Sequence, residues 1–144
     1  HDRGGTPNAG ISRKCHRAWA GWAAIDAGST PTADMVRTFY RENYWNPIRG
    51  DGIKSQQIAE SIYDFAVNAG VGVSVKLAQI IAGCTPDGKV GPKNLEAWNA
   101  MDDAMFRMSF ALAKITRYRD IVARDKTQIK FIMGWINRTL KGLA

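Results

Sequence analysis

Glu60, Asp64 and Asn68 stand four residues apart in the segment "IAESIYDFAVNAG", a spacing that lines them along one edge of an α-helix. The rest of that segment is apolar on most of its circumference, through Ile58, Ile62, Tyr63, Phe65, Ala66 and Val67. A carboxylate on such a helix must be paired, hydrogen-bonded or turned toward a solvent-filled cleft, because an ionised group left dry and alone is costly. Two readings follow: Asp64 and Asn68 line a cleft, or they bond neighbouring backbone or an arginine and lock the core. A second group lies in "TFYRENYWNP", where Tyr40, Tyr44 and Trp45 crowd the end of a helix beside a proline-containing loop. Flat aromatic faces with polar edges are what carbohydrate rings and extruded bases stack on; aromatic core packing is the other use of the same residues. Tyr40 and Tyr44 share a helix face while Trp45 points elsewhere, so all three cannot be core on one side.

The third group is the opening loop, "HDRGGTPNAGIS", in which glycines permit tight backbone geometry and Asp2, Thr6 and Asn8 supply short polar groups ahead of a helix. It lacks the Gly-Lys-Ser/Thr ending of a phosphate-binding loop, and no strand is predicted before it. The histidines are His1 and His16 and the cysteines Cys15 and Cys84. They match no metal-ligand spacing, and the cysteines read as two separate buried thiols. No Ser-His-Asp or Cys-His arrangement and no dinucleotide fingerprint is present, so neither a cofactor nor a metal is expected. If the chain is an enzyme, carboxylates do the chemistry. That points to glycoside hydrolysis, in which one carboxylic acid protonates the leaving oxygen and a second group activates water or stabilises the cation.

The elements that must position these residues read as helices. Ile11, Cys15, Ala18, Trp19, Trp22 and Ile25 recur at spacings of three and four, predicting a helix over 11–27. Thr30 before Pro31 predicts a second from about 31 to 43, stopped near "NYWNPIRGDG". The helix at about 54–69 is the candidate for a central, buried one. "VGVSV" alternates like a strand but runs on into a helical pattern, and a lone strand would have no partner, so it too is predicted helical. Pro92 is placed to start a long helix carrying apolar residues through Val122, and a last helix begins near residue 127. The sum is an all-α domain of five to six helices around the central one. At 144 residues, 45% hydrophobic and 23% charged, the chain can bury a full core as a single unit. No run approaches the roughly eighteen apolar residues of a membrane-spanning helix.

The charge is uneven. From Lys114 onward eight Lys or Arg face only Asp120 and Asp125, a net +6 out of the chain's +7. Such a segment suits a polyanionic partner, whether nucleic acid, anionic wall polymer or membrane surface, or is a solvated helix face. A nucleic-acid reading would need Tyr118, Phe131 and Trp135 exposed, whereas their helical spacing with Ile and Val predicts burial. No nucleic-acid partner is therefore expected.

Four stretches, in order, resemble one family: the lysozyme-like N-acetylmuramidases of glycoside hydrolase family 108, found among phage endolysins and proteins described as secretion activators. "DRGGTPNAGIS" is similar to that family's Asp-Pro-Gly-Gly-x-Thr-x-x-Gly-Ile-Thr loop, with Pro7 where the family has Thr and Thr6 one position before it. "FYRENYWNPIRGD" resembles its Tyr-Trp segment, "IAESIYDFAVNAG" its central helix, and "DGKVGP" with the tail its C-terminal, peptidoglycan-binding half. The resemblance implies a muramidase segment over 1–49 and a peptidoglycan-binding segment over 50–144, in one compact unit. It implies general acid catalysis by a Glu of a Glu-Gly-Gly-Tyr/Phe motif that precedes this loop, hence ahead of His1, with Asp2 and Thr6 as auxiliary residues flanking it. Tyr40, Tyr44, Trp45, Asp64 and Asn68 are then the candidate substrate contacts. The implied partner is the peptidoglycan glycan strand and the implied place of action the bacterial periplasm and cell wall; a monomer is expected.

Overall fold

The computed structural model describes residues 7–143. The chain begins there with two short antiparallel strands, β1 (Pro7–Asn8) and β2 (Ile11–Ser12), paired Pro7 with Ser12 and Asn8 with Ile11. The turn between them is possible because Ala9 and Gly10 both adopt left-handed backbone, at φ 51° and 80°. Two turns follow and then α1 (Gly21–Asp26), so the helix predicted over 11–27 shrinks to its last third. The apolar spacing is real, since Ile11 and Trp22 are both buried. The hairpin takes the backbone groups of residues 8 and 11, and Ser12 captures the Cys15 amide through its hydroxyl at 3.4 Å. Cys15, in this turn, is exposed, and Cys84, far along the chain, is half-buried, which corrects the expectation of two buried thiols.

Helix α2 (Ala33–Tyr40) starts at Thr32, whose hydroxyl accepts from the Met35 amide at 3.1 Å, and runs into a π-helical turn, Arg41–Trp45. Contacts divide the chain into a first unit up to Asn43 and a second from Tyr44 onward.

The second unit is helical after a short 3₁₀ turn at Gly50–Gly52. Ser55 caps α3 (Gln56–Ala69) by accepting from the Ile58 amide at 3.2 Å. Ile58, Ala59, Ile62, Phe65 and Ala66 of α3 are all buried, as predicted for the central helix. Gly70, at φ 101°, reverses the chain into α4 (Val71–Ile81). There Ser74 donates to the Ile62 carbonyl at 2.7 Å, a buried polar group that ties α4 to α3. Helix α5 (Pro92–Ala100) brings in Trp98, fully buried, its indole donating to the Ala78 carbonyl at 3.0 Å.

The long helix predicted from Pro92 is in fact two, because Asp102 is extended and caps α6 (Asp103–Arg124) through the Met105 amide at 3.0 Å. Phe106, Phe110 and Tyr118 turn its inner face to the core. A 3₁₀ segment, Lys126–Phe131, leads to α7 (Ile132–Lys141), the last predicted helix. Among the described residues the result is all-α apart from the hairpin, with seven α-helices where five to six were expected. Among the described residues no helix is long and apolar enough to cross a membrane.

Candidate functional site

Each unit carries a groove of its own. In the first, Met35, Thr38, Phe39, Glu42 and Asn43 recur at spacings that put them on one face of α2 and its π extension. With the turn around His16 and Trp19 they line a groove of about 700 Å³, within the range of about 300–1,000 Å³ usual for small-ligand sites. The aromatic wall is ordered by ring contacts: His16 meets Phe39 edge-on at 4.7 Å, and Trp19 lies 5.8 Å from Phe39 and 5.0 Å from Trp22. Asn43 is fixed by donating to the Phe39 carbonyl at 2.8 Å. Asp34, also on the rim, is paired with Arg37, whereas the Glu42 carboxylate lies on the exposed side. The turn itself is braced by Arg13, which donates twice to Asp26 at 2.8 and 2.5 Å and lies 5.3 Å over the Trp22 ring. An apolar, flat-walled groove with an amide and a carboxylate at its edge suits a sugar ring, which stacks by one face and hydrogen-bonds at its rim.

The aromatics chosen from sequence take different places. Tyr40, half-buried, donates to the Ala9 carbonyl at 2.7 Å, and so holds the hairpin against α2. Trp45 donates to Asp51 at 2.9 Å and meets the Tyr63 ring edge-on at 5.7 Å. Gly50 lies so close beneath that indole that an added Cβ would fall 2.2 Å from its ring. Tyr44 is half-buried, and packs with Trp45 against the core of the second unit. Asp2 and Thr6 lie outside the described residues.

The second groove, of about 410 Å³, runs between the polar edge of α3 and the helices α6 and α7. Glu60, Asp64 and Asn68 line one side; Lys114, Arg138 and Lys141 line the other. Gln56 donates to Glu60 at 3.1 Å. Among the described residues no hydrogen bond or ion pair engages the side chains of Asp64, Asn68, Arg138 or Lys141. Asp64 is exposed as a residue, yet the walls of the groove remove part of its water, and that desolvation together with the Glu60 charge raises its pKa, against the opposing pull of Lys114. Lys114 in turn is held below the usual lysine range by burial, with Asp64 pulling it back up. Its ammonium sits over two rings, 5.5 Å from Phe65 and 5.3 Å from Phe110, which fixes it at the floor of the groove.

In the basic tail Tyr118 is buried and stacks on Trp135 at 5.0 Å, with Phe131 6.0 Å beyond, so these rings pack on one another. No cluster of three His, Cys, Asp or Glu that could hold a metal occurs among the described residues.

Comparison with known proteins matches residues 1–70 to the glycosyl hydrolase 108 family and residues 73–140 to a "Predicted Peptidoglycan domain". Its first 70 residues are thus similar to glycosyl hydrolase family 108. The solved structure of Brucella abortus SagA is similar over 99% of this chain and 79% of that one, with a TM-score of 0.74 at 27% sequence identity. Among curated proteins none matches the chain. The fold is accordingly the lysozyme-like, all-α one that the sequence predicts, and its function concerns peptidoglycan. The two family segments meet at Gly70 and α4, so α3 belongs to the hydrolase segment and α6 and α7 to the peptidoglycan segment. The second groove therefore has one wall from each.

Sequence reasoning singled out one wall of the second groove and none of the first. In the first it missed Trp19, Phe39 and Glu42, for which the signal was the i, i+4, i+7 recurrence of Met35, Phe39 and Glu42. In the second it found Asp64 and Asn68 and separately counted the basic residues, without the fold needed to face them across a groove.

Proposed function

We propose that this chain is the body of a peptidoglycan hydrolase, an N-acetylmuramidase that cleaves the glycan strand after N-acetylmuramic acid by general acid catalysis. The observation that carries this reading is the succession in one chain of a glycosyl hydrolase 108 segment and a peptidoglycan domain. The acid is a Glu of the family's Glu-Gly-Gly motif, ahead of His1, with Asp2 and Thr6 flanking it. Near neutral pH a carboxylic acid must be protonated to donate to the glycosidic oxygen, so that Glu needs an apolar wall to raise its pKa. Tyr40 positions the loop through Ala9, and Trp19 and Phe39 offer stacking faces for the sugar. In the second unit, Tyr44 and Trp45 are further aromatic contacts for the strand, and Asp64 and Asn68 line a separate groove. The protein acts as a monomer on the periplasmic or wall side.

The test is product analysis. Digestion of purified sacculi by the protein carrying the family's Glu segment should release fragments with reducing N-acetylmuramic acid ends. Reducing N-acetylglucosamine ends, or cut peptides with intact glycan, would refute the assignment.

A further inference from the structure

The groove between α3 and α6–α7 is unlike a sugar site. Its lining is largely polar and charged, and its charges are sorted by wall, acidic Glu60 and Asp64 on α3 against basic Lys114, Arg138 and Lys141. A polyanion would meet the acidic wall and a polycation the basic one, and either would be repelled by half the site. A neutral glycan would leave charged groups without counter-charge as it displaced their water. The ligand that satisfies both walls carries an ammonium and a carboxylate a few ångströms apart. The walls of the groove desolvate both Asp64 and Lys114, a cost that a further ionic partner offsets. Arg138 adds a planar fork suited to a carboxylate. Lys114, held over Phe65 and Phe110, is a fixed charge at the floor rather than a free arm.

We propose that this groove binds the peptide stem of the cell wall through an amino-acid zwitterion, the ammonium against Glu60 and Asp64 and the carboxylate against Arg138 and Lys141. This rests on the peptidoglycan reading above and gives its second unit a separate substrate class, peptide rather than glycan. Because one wall comes from the hydrolase segment and the other from the peptidoglycan segment, the site exists only where both are folded together.

The experiment is calorimetric titration of the 144-residue chain with a synthetic stem tripeptide that ends in a diamino acid, its side-chain ammonium and terminal carboxylate free. The same tripeptide with its ammonium acetylated, a third with its carboxylate amidated, peptide-free glycan oligomers and intact sacculi form the comparison. Binding of the free tripeptide should fall at least tenfold on blocking either group, and at least tenfold in Asp64→Asn and in Arg138→Gln, while the affinity of Arg138→Gln for glycan oligomers stays unchanged. Equal binding of free and blocked peptides by the wild-type chain would overturn the proposal without any variant being needed. Binding of sacculi and glycan with no binding of the tripeptide would overturn it while leaving the muramidase reading intact; failure to bind sacculi at all would remove both.

Discussion

The phenol of Tyr40 donates a 2.7 Å hydrogen bond to the carbonyl of Ala9, so α2 grips the turn of the β1–β2 hairpin. Opposite that carbonyl the backbone of Gly10 is left-handed at φ 80°, and a Cβ there would lie 2.7 Å from the same phenol oxygen. Tyr40→Phe removes the bond while keeping the ring and should cost about 0.5–1.5 kcal/mol. Gly10→Ala should cost more, about 1–2 kcal/mol from the backbone alone, before the clash with Tyr40. Denaturant titration orders the two variants, and faster amide exchange in the hairpin of Tyr40→Phe checks that the loss is local. A Gly10→Ala variant as stable as wild type would mean that the turn is not held in this geometry.

Gln79 is fully buried, and its amide joins three segments of the second unit. It donates to Asp87 at 2.8 Å, to the Lys89 carbonyl at 3.0 Å and to Asn94 at 3.2 Å, and accepts from the Gly88 amide at 3.0 Å. Gln79→Leu keeps the volume but strands the Gly88 amide without its acceptor. The expected loss is about 1–3 kcal/mol, or roughly 4–12 °C in melting temperature. Calorimetry gives the value, and no loss would show that water replaces the amide.

Asp64 yields a pH dependence whose sign is fixed. Its folded-state pKa is raised, by desolvation first and by Glu60 second, so in the window above the ordinary carboxylate value the folded state holds more protons than the unfolded one. Stability should therefore fall as pH rises through that window, and the charged form should carry the penalty at all higher pH. Asp64→Asn should match wild type at acid pH and melt higher than it above the carboxylate range. Lys114→Met removes the one charge that opposes the shift and should raise the Asp64 pKa further, as read by carbon NMR titration of its carboxyl. A fall on that substitution would mean that Lys114 acts on Asp64 chiefly by desolvating it.

The tail from Lys114 onward holds +6 of the chain's +7 charge. If it docks the domain on anionic wall material, Lys126→Glu with Lys130→Glu should weaken binding to sacculi strongly at low salt and little at high salt, since screening shortens to about 10 Å at 0.1 M. Pull-down at two ionic strengths reads this directly. Equal loss at both would point to damage of the fold, to which Lys130 contributes by covering the Phe131 ring at 5.2 Å.

What the sequence disclosed depended on how local the cause was. The central helix was legible because Ile58, Ile62, Phe65 and Ala66 repeat with helical period behind a Ser55 cap. The break at Asp102 was not, because Met101 and Met105 keep the apolar spacing across it and only the cap chemistry of Asp102 marks the stop. The hairpin at Ile11 was hidden for the converse reason: Ile11, Cys15 and Trp22 fit a helical stripe, while the left-handed Ala9 gives no residue-type signal of its own. Tyr40, Tyr44 and Trp45 were read as a cluster from adjacency in the chain. Their partners, Ala9 for Tyr40 and Asp51 and Tyr63 for Trp45, are tertiary facts. Asp64 and Asn68 were legible as polar residues on an apolar helix, but the basic wall they face comes from α6 and α7, far along the chain.

The central claim, that this body cleaves peptidoglycan with a Glu acid supplied from ahead of His1, is tested most directly by the turbidity of purified peptidoglycan under three proteins. These are the 144 residues alone, the same chain carrying the family's Glu segment before His1, and that longer chain with Glu→Gln in the segment. The account predicts clearing by the second protein only, with all three folded and all three retained on the insoluble wall. Clearing by the 144 residues alone, or by the Glu→Gln chain as fast as by its parent, would contradict it and place the acid among Glu42, Glu60 and Asp64, carboxylates that line the two grooves.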